Sequence, residues 1–166
     1  AYTESHQQNP SVTSLSDGGF IVTWFSLDQD GYHNSIYAQR YDSSGAKANS
    51  EFKVNSTTRA LATDPYSSQE EPVVTSLSDG GFVVTWASYG QDGSQSGVYG
   101  QRYDSSGATA GDEFQINTYT GSHQQDPSVT GLSDGGFIVT WSSDGQDGSS
   151  TGIYGQRYDG SGATAG

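Results

Sequence analysis

Apolar positions along this chain come in short runs, and the runs repeat. The stretch Leu15-Ser-Asp-Gly-Gly-Phe-Ile-Val-Thr-Trp24 returns as Leu77 to Trp86 and again as Leu132 to Trp141. In each copy a Ser-Asp-Gly-Gly turn leads into a strand that ends on a Trp. Phe20, Val22 and Trp24 face one way, while Ile21, Thr23 and Phe25 face the other. A strand that is apolar on both faces must be covered on both. Before the turn, Ser11 to Leu15 reads as a first strand, opened by a Pro whose missing N–H is tolerated at a strand start. Phe20 to Phe25 is the second strand, Ile36 to Tyr41 the third and Phe52 to Asn55 the fourth. Val98 to Tyr103, Ile153 to Tyr158 and Phe114 to Asn117 are the later counterparts of the third and fourth strands. No stretch holds a sustained 3.6-residue apolar period, so no helix is predicted.

The copies align at Pro10/Pro72/Pro127, Trp24/Trp86/Trp141, Tyr37/Tyr99/Tyr154 and Arg40/Arg102/Arg157, and residues 69–111 match 124–166 at about 32 of 43 positions. Repeat 1 covers 1–55. Repeat 2 covers 56–117 and opens on an inserted loop at 56–71. Repeat 3 covers 118–166 and lacks its outer strand; the three form one repeat domain. Asp-Gly-Gly supplies the positive φ of a tight hairpin, and Asp42-Ser-Ser-Gly45 with its counterparts joins the third strand to the fourth. Short connections throughout make each repeat an antiparallel meander. A meander of roughly 50 residues with both faces buried is the unit of a β-propeller blade. The predicted fold is therefore all-β: three antiparallel four-stranded repeats, built as β-propeller-like blades. Three blades fall short of the usual minimum of about four for a closed ring. The expectation is a segment of a longer array, or copies that self-associate through an open edge.

Composition narrows the possible partners. The formal net charge is −13, with 19 Asp and Glu against 6 Lys and Arg. Nucleic acid and anionic membrane both require a basic face, and neither is an expected partner. No apolar run reaches the roughly 18 residues of a spanning helix. The chain has no Cys, so strand pairing, aromatic packing or metal must supply what disulfides supply elsewhere.

Candidate chemistry lies first in the loops between the second and third strands. They carry Gln29-Asp30-Gly31, Gln91-Asp92-Gly93 and Gln146-Asp147-Gly148, with Asp28 and Asp144 nearby. Carboxylates beside Gly-rich turns are the hard oxygen ligands that calcium takes, so Asp28, Asp30, Asp92, Asp144 and Asp147 are the candidate metal ligands. The same loops could hydrogen-bond sugar hydroxyls. Gln29, Asp30, Gln91, Asp92, Gln146 and Asp147, with Tyr37, Tyr99 and Tyr154 on the third strands, form the candidate ligand set. Asp-Gly is equally plain turn chemistry, and Trp on a central strand is more often core than a sugar platform. Arg40, Arg102 and Arg157 are read as forking onto a carboxylate to tie strands or blades together. The polar residues before each Pro, such as His6-Gln7-Gln8 and Ser68-Gln69-Glu70, could form a binding rim. No Ser-His-Asp set stands out, nor any carboxylate pair distinct from the repetition, and the reading is non-enzymatic.

The repeated words Ser-Asp-Gly-Gly-Phe-(Ile/Val)-Val-Thr-Trp, Gly-Gln-Asp-Gly-Ser and (Ile/Val)-Tyr-Gly-Gln-Arg-Tyr-Asp resemble tandem repeats of very large secreted bacterial surface proteins. Those chains often also carry haemolysin-type calcium-binding repeats. The resemblance covers nearly the whole chain and implies a secreted or cell-surface location, calcium-rich surroundings and adhesion or scaffolding. The expectation from sequence is a non-enzymatic extracellular adhesion module that binds cell-surface carbohydrate multivalently at equivalent loops. The alternative is a structural spacer or filament module assembled by edge-strand pairing, without a small ligand.

Overall fold

The computed structural model describes residues 4–31, 34–57 and 68–166. Each repeat forms its own antiparallel sheet, with strands in chain order across it. The first sheet holds β1 (Gln7–Ser14), β2 (Phe20–Leu27), β3 (Asn34–Tyr41) and β4 (Phe52–Lys53). The second holds β5 (Gln69–Ser76), β6 (Phe82–Tyr89), β7 (Ser96–Tyr103) and β8 (Phe114–Gln115). The third holds β9 (Gln124–Gly131), β10 (Phe137–Asp144) and β11 (Thr151–Tyr158). No helix occurs among the described residues. Most of the inserted loop expected at 56–71 lies outside them.

The sheets stack face to face like blades. Ile21, Phe25, Ile36, Ala38 and Val54 of the first meet Val74, Phe82, Val84, Trp86, Tyr99 and Tyr103 of the second. Val83, Val98 and Ile116 on the second sheet's other face meet Val129, Phe137, Val139, Trp141 and Tyr158 of the third. Thus β6 gives alternate residues to two cores, which is why it carries no polar face. The rule repeats: the Trp face of one blade covers the Ile or Val face of the blade before it. A stacked Phe–Tyr pair sits in each blade, Phe82 on Tyr103 at 4.7 Å and Phe137 on Tyr158 at 4.7 Å. The fourth-strand Phe of the preceding blade leans on that Tyr, as Phe52 does on Tyr103 and Phe114 on Tyr158, both at 5.5 Å. Meanwhile β1, β5 and β9 lie side by side, so the sheets fan outward from their first strands.

The first strand differs from its sequence reading. It does not open at the Pro but runs through it. Register shifts between Gln8 and Ser11 and between Glu70 and Val73, and a matching shift in the β9–β10 pairing, mark a bulge at each Pro. A bulge leaves a residue outside the ladder, so the missing Pro N–H removes no strand-to-strand bond.

The Asp-Gly-Gly turns follow from two separate demands on the two glycines. The first, Gly80, has φ +87°. A Cβ on the second, Gly81, would lie 2.3 Å from the carbonyl oxygen of Tyr103, too close for any side chain. The Asp79 carboxylate accepts the Gly81 N–H at 2.8 Å and closes the turn. Arg40 pairs with Asp17 at 2.7 Å and also donates to the Ser105 carbonyl of the second blade at 2.8 Å. Arg102 pairs with Asp79 at 3.4 Å, and Arg157 with Asp134. The arginines therefore pair with the turn carboxylate of their own blade, and Arg40 also bridges to the next. Asp42, Asp104 and Asp159 instead cap their own turns; a Ser hydroxyl and backbone N–H groups hold each carboxyl below its ordinary range.

Gly81→Ala is expected to lower the unfolding free energy by about 3 kcal/mol or more, because backbone must move to admit the methyl group. Gly93→Ala, where a Cβ meets nothing within 4 Å, should cost only about 1 kcal/mol from its positive φ. Urea denaturation followed by Trp fluorescence measures both. Equal costs would show that the approach to Tyr103 is not what Gly81 serves.

Candidate functional site

In the Gln-Asp-Gly loops the polar atoms are engaged mainly within their own blade. Gln29 donates to Glu51 at 2.5 Å, and Gln91 donates to Glu113 at 2.6 Å while accepting from Ser88 at 2.7 Å. The Asp30 carboxylate accepts from Ser35 at 2.9 Å and from Lys53 at 2.6 Å. Asp92 accepts the Ser94 N–H at 3.0 Å and Gln115 at 3.3 Å. Asp147 accepts the Ser149 N–H at 3.0 Å, and Asp144 accepts from Thr151 at 2.6 Å. Asp28 is exposed with φ 56° at the head of its loop. Gln146 has its side-chain oxygen buried without a hydrogen-bond partner.

The third-strand tyrosines are mostly packed. Tyr37 and Tyr99 are buried and Tyr154 is half-buried. Burial, with the charges of Asp92 and Glu113, pushes the Tyr99 hydroxyl up. Trp86 and Trp141 are core. Among the described residues no three His, Cys, Asp or Glu side chains gather where one ion could touch them all. The carboxylates expected to take calcium form no such group among the described residues.

A different group converges where the blades meet at their first strands. Each bulge places one polar residue directly before its Pro: Asn9, Glu71 and Asp126. All three have positive φ, at 51°, 56° and 54°. L-residues with side chains rarely adopt that conformation, and such outliers concentrate at functional sites. With the three prolines, Ser11 and Val73, they line one open cleft of about 450 Å³. Glu71 reaches the next bulge, where its carboxylate accepts the Asp126 backbone N–H at 2.8 Å. Asp126 in turn accepts from the Ser142 hydroxyl of β10 at 2.9 Å. Burial lifts the Glu71 carboxyl above its ordinary range, and the charges of Asp126 and Glu70 push the same way against the Asp126 N–H bond. Two carboxylates in one cleft, one held toward its protonated form, is an arrangement suited to general acid–base work.

The sequence reading passed over Glu71 and Asp126. In sequence they are only the polar residues directly before the aligned prolines, Asn9, Glu71 and Asp126, in a column that varies as many others do.

No protein-family model matches the chain, and no curated protein does. Solved structures do match, at low identity. An endo-arabinase from Bacteroides thetaiotaomicron shares 14% identity over 99% of this chain and 64% of its own, with a TM-score of 0.58. The α-L-arabinofuranosidase Arb93A from Fusarium graminearum, in complex with an iminosugar inhibitor, shares 14% over 95% of this chain and 48% of its own, TM-score 0.64. An α-L-arabinanase from Penicillium chrysogenum, complexed with arabinobiose, shares 15% over 95% of this chain and 49% of its own, TM-score 0.61. The chain thus spans about half to two thirds of the length of these structures. The likeness establishes the class of fold: β-propeller blades. The non-enzymatic expectation, as adhesion module or as structural spacer, is corrected on this finding: the three solved proteins named here carry the names of carbohydrate-acting enzymes.

Glu71→Gln is expected to raise the thermal midpoint at pH 7. The raised carboxyl is most favourable to the fold when protonated, so its contribution is full below the ordinary glutamate value of 4.5 and is lost as pH rises through the higher folded value. The gap between variant and wild type should close as the pH falls below that range. A gap that is constant from pH 3 to pH 8 would show that Glu71 gains no proton affinity on folding.

Proposed function

We propose that this chain is the three-blade part of a carbohydrate-cleaving β-propeller, a glycoside hydrolase whose reaction takes place in the cleft between the bulges of β1, β5 and β9. The observation that carries this reading is that Glu71 and Asp126 line that one cleft, with Glu71 bonded to the Asp126 backbone N–H. Its further support is that the solved enzymes sharing the blades act on arabinan or arabinofuranosides by name. The substrate class we infer is accordingly a pentose-containing polysaccharide.

Hydrolysis of a glycosidic bond needs one carboxyl to protonate the departing oxygen and a second to drive attack at the anomeric carbon. Glu71 suits the first role, since burial keeps its proton to higher pH. Asp126, whose carboxylate accepts from Ser142, is assigned the second from the neighbouring bulge. Asn9 extends the same lip with a neutral amide that can bond sugar hydroxyls without adding charge.

The test is hydrolysis of debranched arabinan and of a 4-nitrophenyl α-L-arabinofuranoside by the wild-type chain. Glu71→Gln and Asp126→Asn should each lower kcat by about 100-fold or more. Asp147→Asn, in a loop outside the cleft, should leave it unchanged. In the wild type the rate should fall as pH rises through the lifted Glu71 value. No turnover by the wild-type chain, or turnover indifferent to Glu71→Gln, would refute this reading.

A further inference from the structure

We propose that a second cleft, on the β7–β8 side of the second blade, is an accessory site that holds a sugar unit of the polysaccharide away from the reacting bond. Its ligand class rests on the hydrolase reading; its geometry does not. The cleft measures about 460 Å³ and is lined by Gln101 of β7 and by Thr109, Gly111, Asp112 and Glu113 of the connection to β8. It shares no residue with the cleft between the bulges, and β7 and β8 lie at the other side of their sheet from β5. Glu113 fixes one wall. One of its carboxylate oxygens accepts the Ser56 N–H at 2.6 Å and the Ser56 hydroxyl at 3.0 Å, and the other accepts from Gln91 at 2.6 Å. That wall is tied across two blades before any ligand arrives, and such preorganisation lowers the cost of binding.

Gln101 is the group that points to a ligand. It is only 4% exposed. Its amide nitrogen donates to the Arg102 carbonyl at 2.9 Å and to the Gly111 carbonyl at 3.0 Å, whereas its amide oxygen accepts no hydrogen bond among the described residues. A buried acceptor without a donor costs free energy until a donor reaches it. The first blade holds the same frame closed. There Gln39 donates to the Asn49 carbonyl at 2.8 Å and to the Asn49 side chain at 3.4 Å, and its own amide oxygen is enclosed. Gly111 stands where Asn49 does, and a Cβ on it would meet nothing within 4 Å. The second blade thus lacks the side chain that lies against Gln39 in the first. No Lys or Arg lines the cleft and two carboxylates do, which disfavours anions. Glu113 already takes three donors, so Asp112 is the one free carboxylate, too few hard ligands for a bare cation. What remains is an amide oxygen, a carboxylate and the Thr109 hydroxyl, acceptors for the O–H donors of a neutral, hydroxyl-rich ligand. A sugar unit is such a ligand.

The experiment runs the chain by native electrophoresis through gels containing debranched arabinan and reads its retardation against polymer concentration. The wild-type chain should be retarded. Gly111→Asn, which supplies the side chain that the first blade has there, should weaken the apparent affinity at least about tenfold, because a polymer held at two sites loses one of them. Asp112→Ala, at an exposed position, should do the same with an unchanged far-UV spectrum. Hydrolysis of the 4-nitrophenyl α-L-arabinofuranoside by the wild-type chain reads the hydrolase proposal separately. Retardation that both variants weaken, without turnover, would support this site and overturn the hydrolase reading. Turnover with retardation unchanged in either variant that keeps the wild-type spectrum would overturn this site and leave the hydrolase reading standing. No retardation of the wild-type chain would overturn this site whatever the turnover.

Discussion

The second strand of each repeat has no polar face to turn to water, and the rest of the structure answers that constraint. In β6, Phe82, Val84 and Trp86 point to one neighbouring sheet, while Val83 and Thr85 point to the other side. A sandwich of two sheets could satisfy one face only. Successive sheets stacked in one direction satisfy both, because each blade's Trp face closes the Ile or Val face of its predecessor. The same logic explains the aromatic relay at the outer rim, where Phe52 reaches Tyr103 and Phe114 reaches Tyr158. Blade-to-blade contact is thus built from residues that recur at one offset, and the arginines extend it, with Arg40 spanning from Asp17 to the turn of the next blade.

Stacking in that direction brings the first strands together, and there the backbone departs from regular pairing. A Pro inside a strand removes a ladder donor, and a bulge is the way to keep the strand despite it. The residue before each Pro sits in the bulge with positive φ. Three blades do this in register, so Asn9, Glu71 and Asp126 converge on one cleft though they are far apart in sequence. Their positive φ values are a local cost that the paired strands on either side sustain.

The loops and the bulges make opposite use of acidic residues. In the loops, Asp30 meets Lys53 and Asp92 meets backbone and amide donors, so charge is absorbed by neighbours on the same blade. At the bulges, Glu71 faces a second carboxylate residue and is partly withdrawn from water, which favours its protonated form. An ionisable group that its surroundings fail to neutralise can exchange a proton with a substrate; one already paired is committed to holding structure.

Local pattern was enough to establish the strands, the hairpin turns and the blade as a unit, since each depends on neighbours within a few residues: alternation along Phe20 to Phe25, Asp-Gly-Gly at the turn, and Trp24 at a fixed offset. The two glycines of that turn were legible in kind, although the contact of Gly81 with Tyr103 needed the third strand in place. The candidate site was not legible. Glu71 and Asp126 are 55 residues apart, and each alone looks like a polar residue before a Pro. Only stacking of the blades brings them to one cleft. The prominent Gln-Asp-Gly words drew the sequence reading because they repeat; in the first two repeats the Gln of that word bonds to a Glu of its own blade, Glu51 or Glu113. Sequence determined what each blade is, because a blade is closed by local pairing. Tertiary structure decided which distant residues share a cleft, because that depends on how separate blades meet.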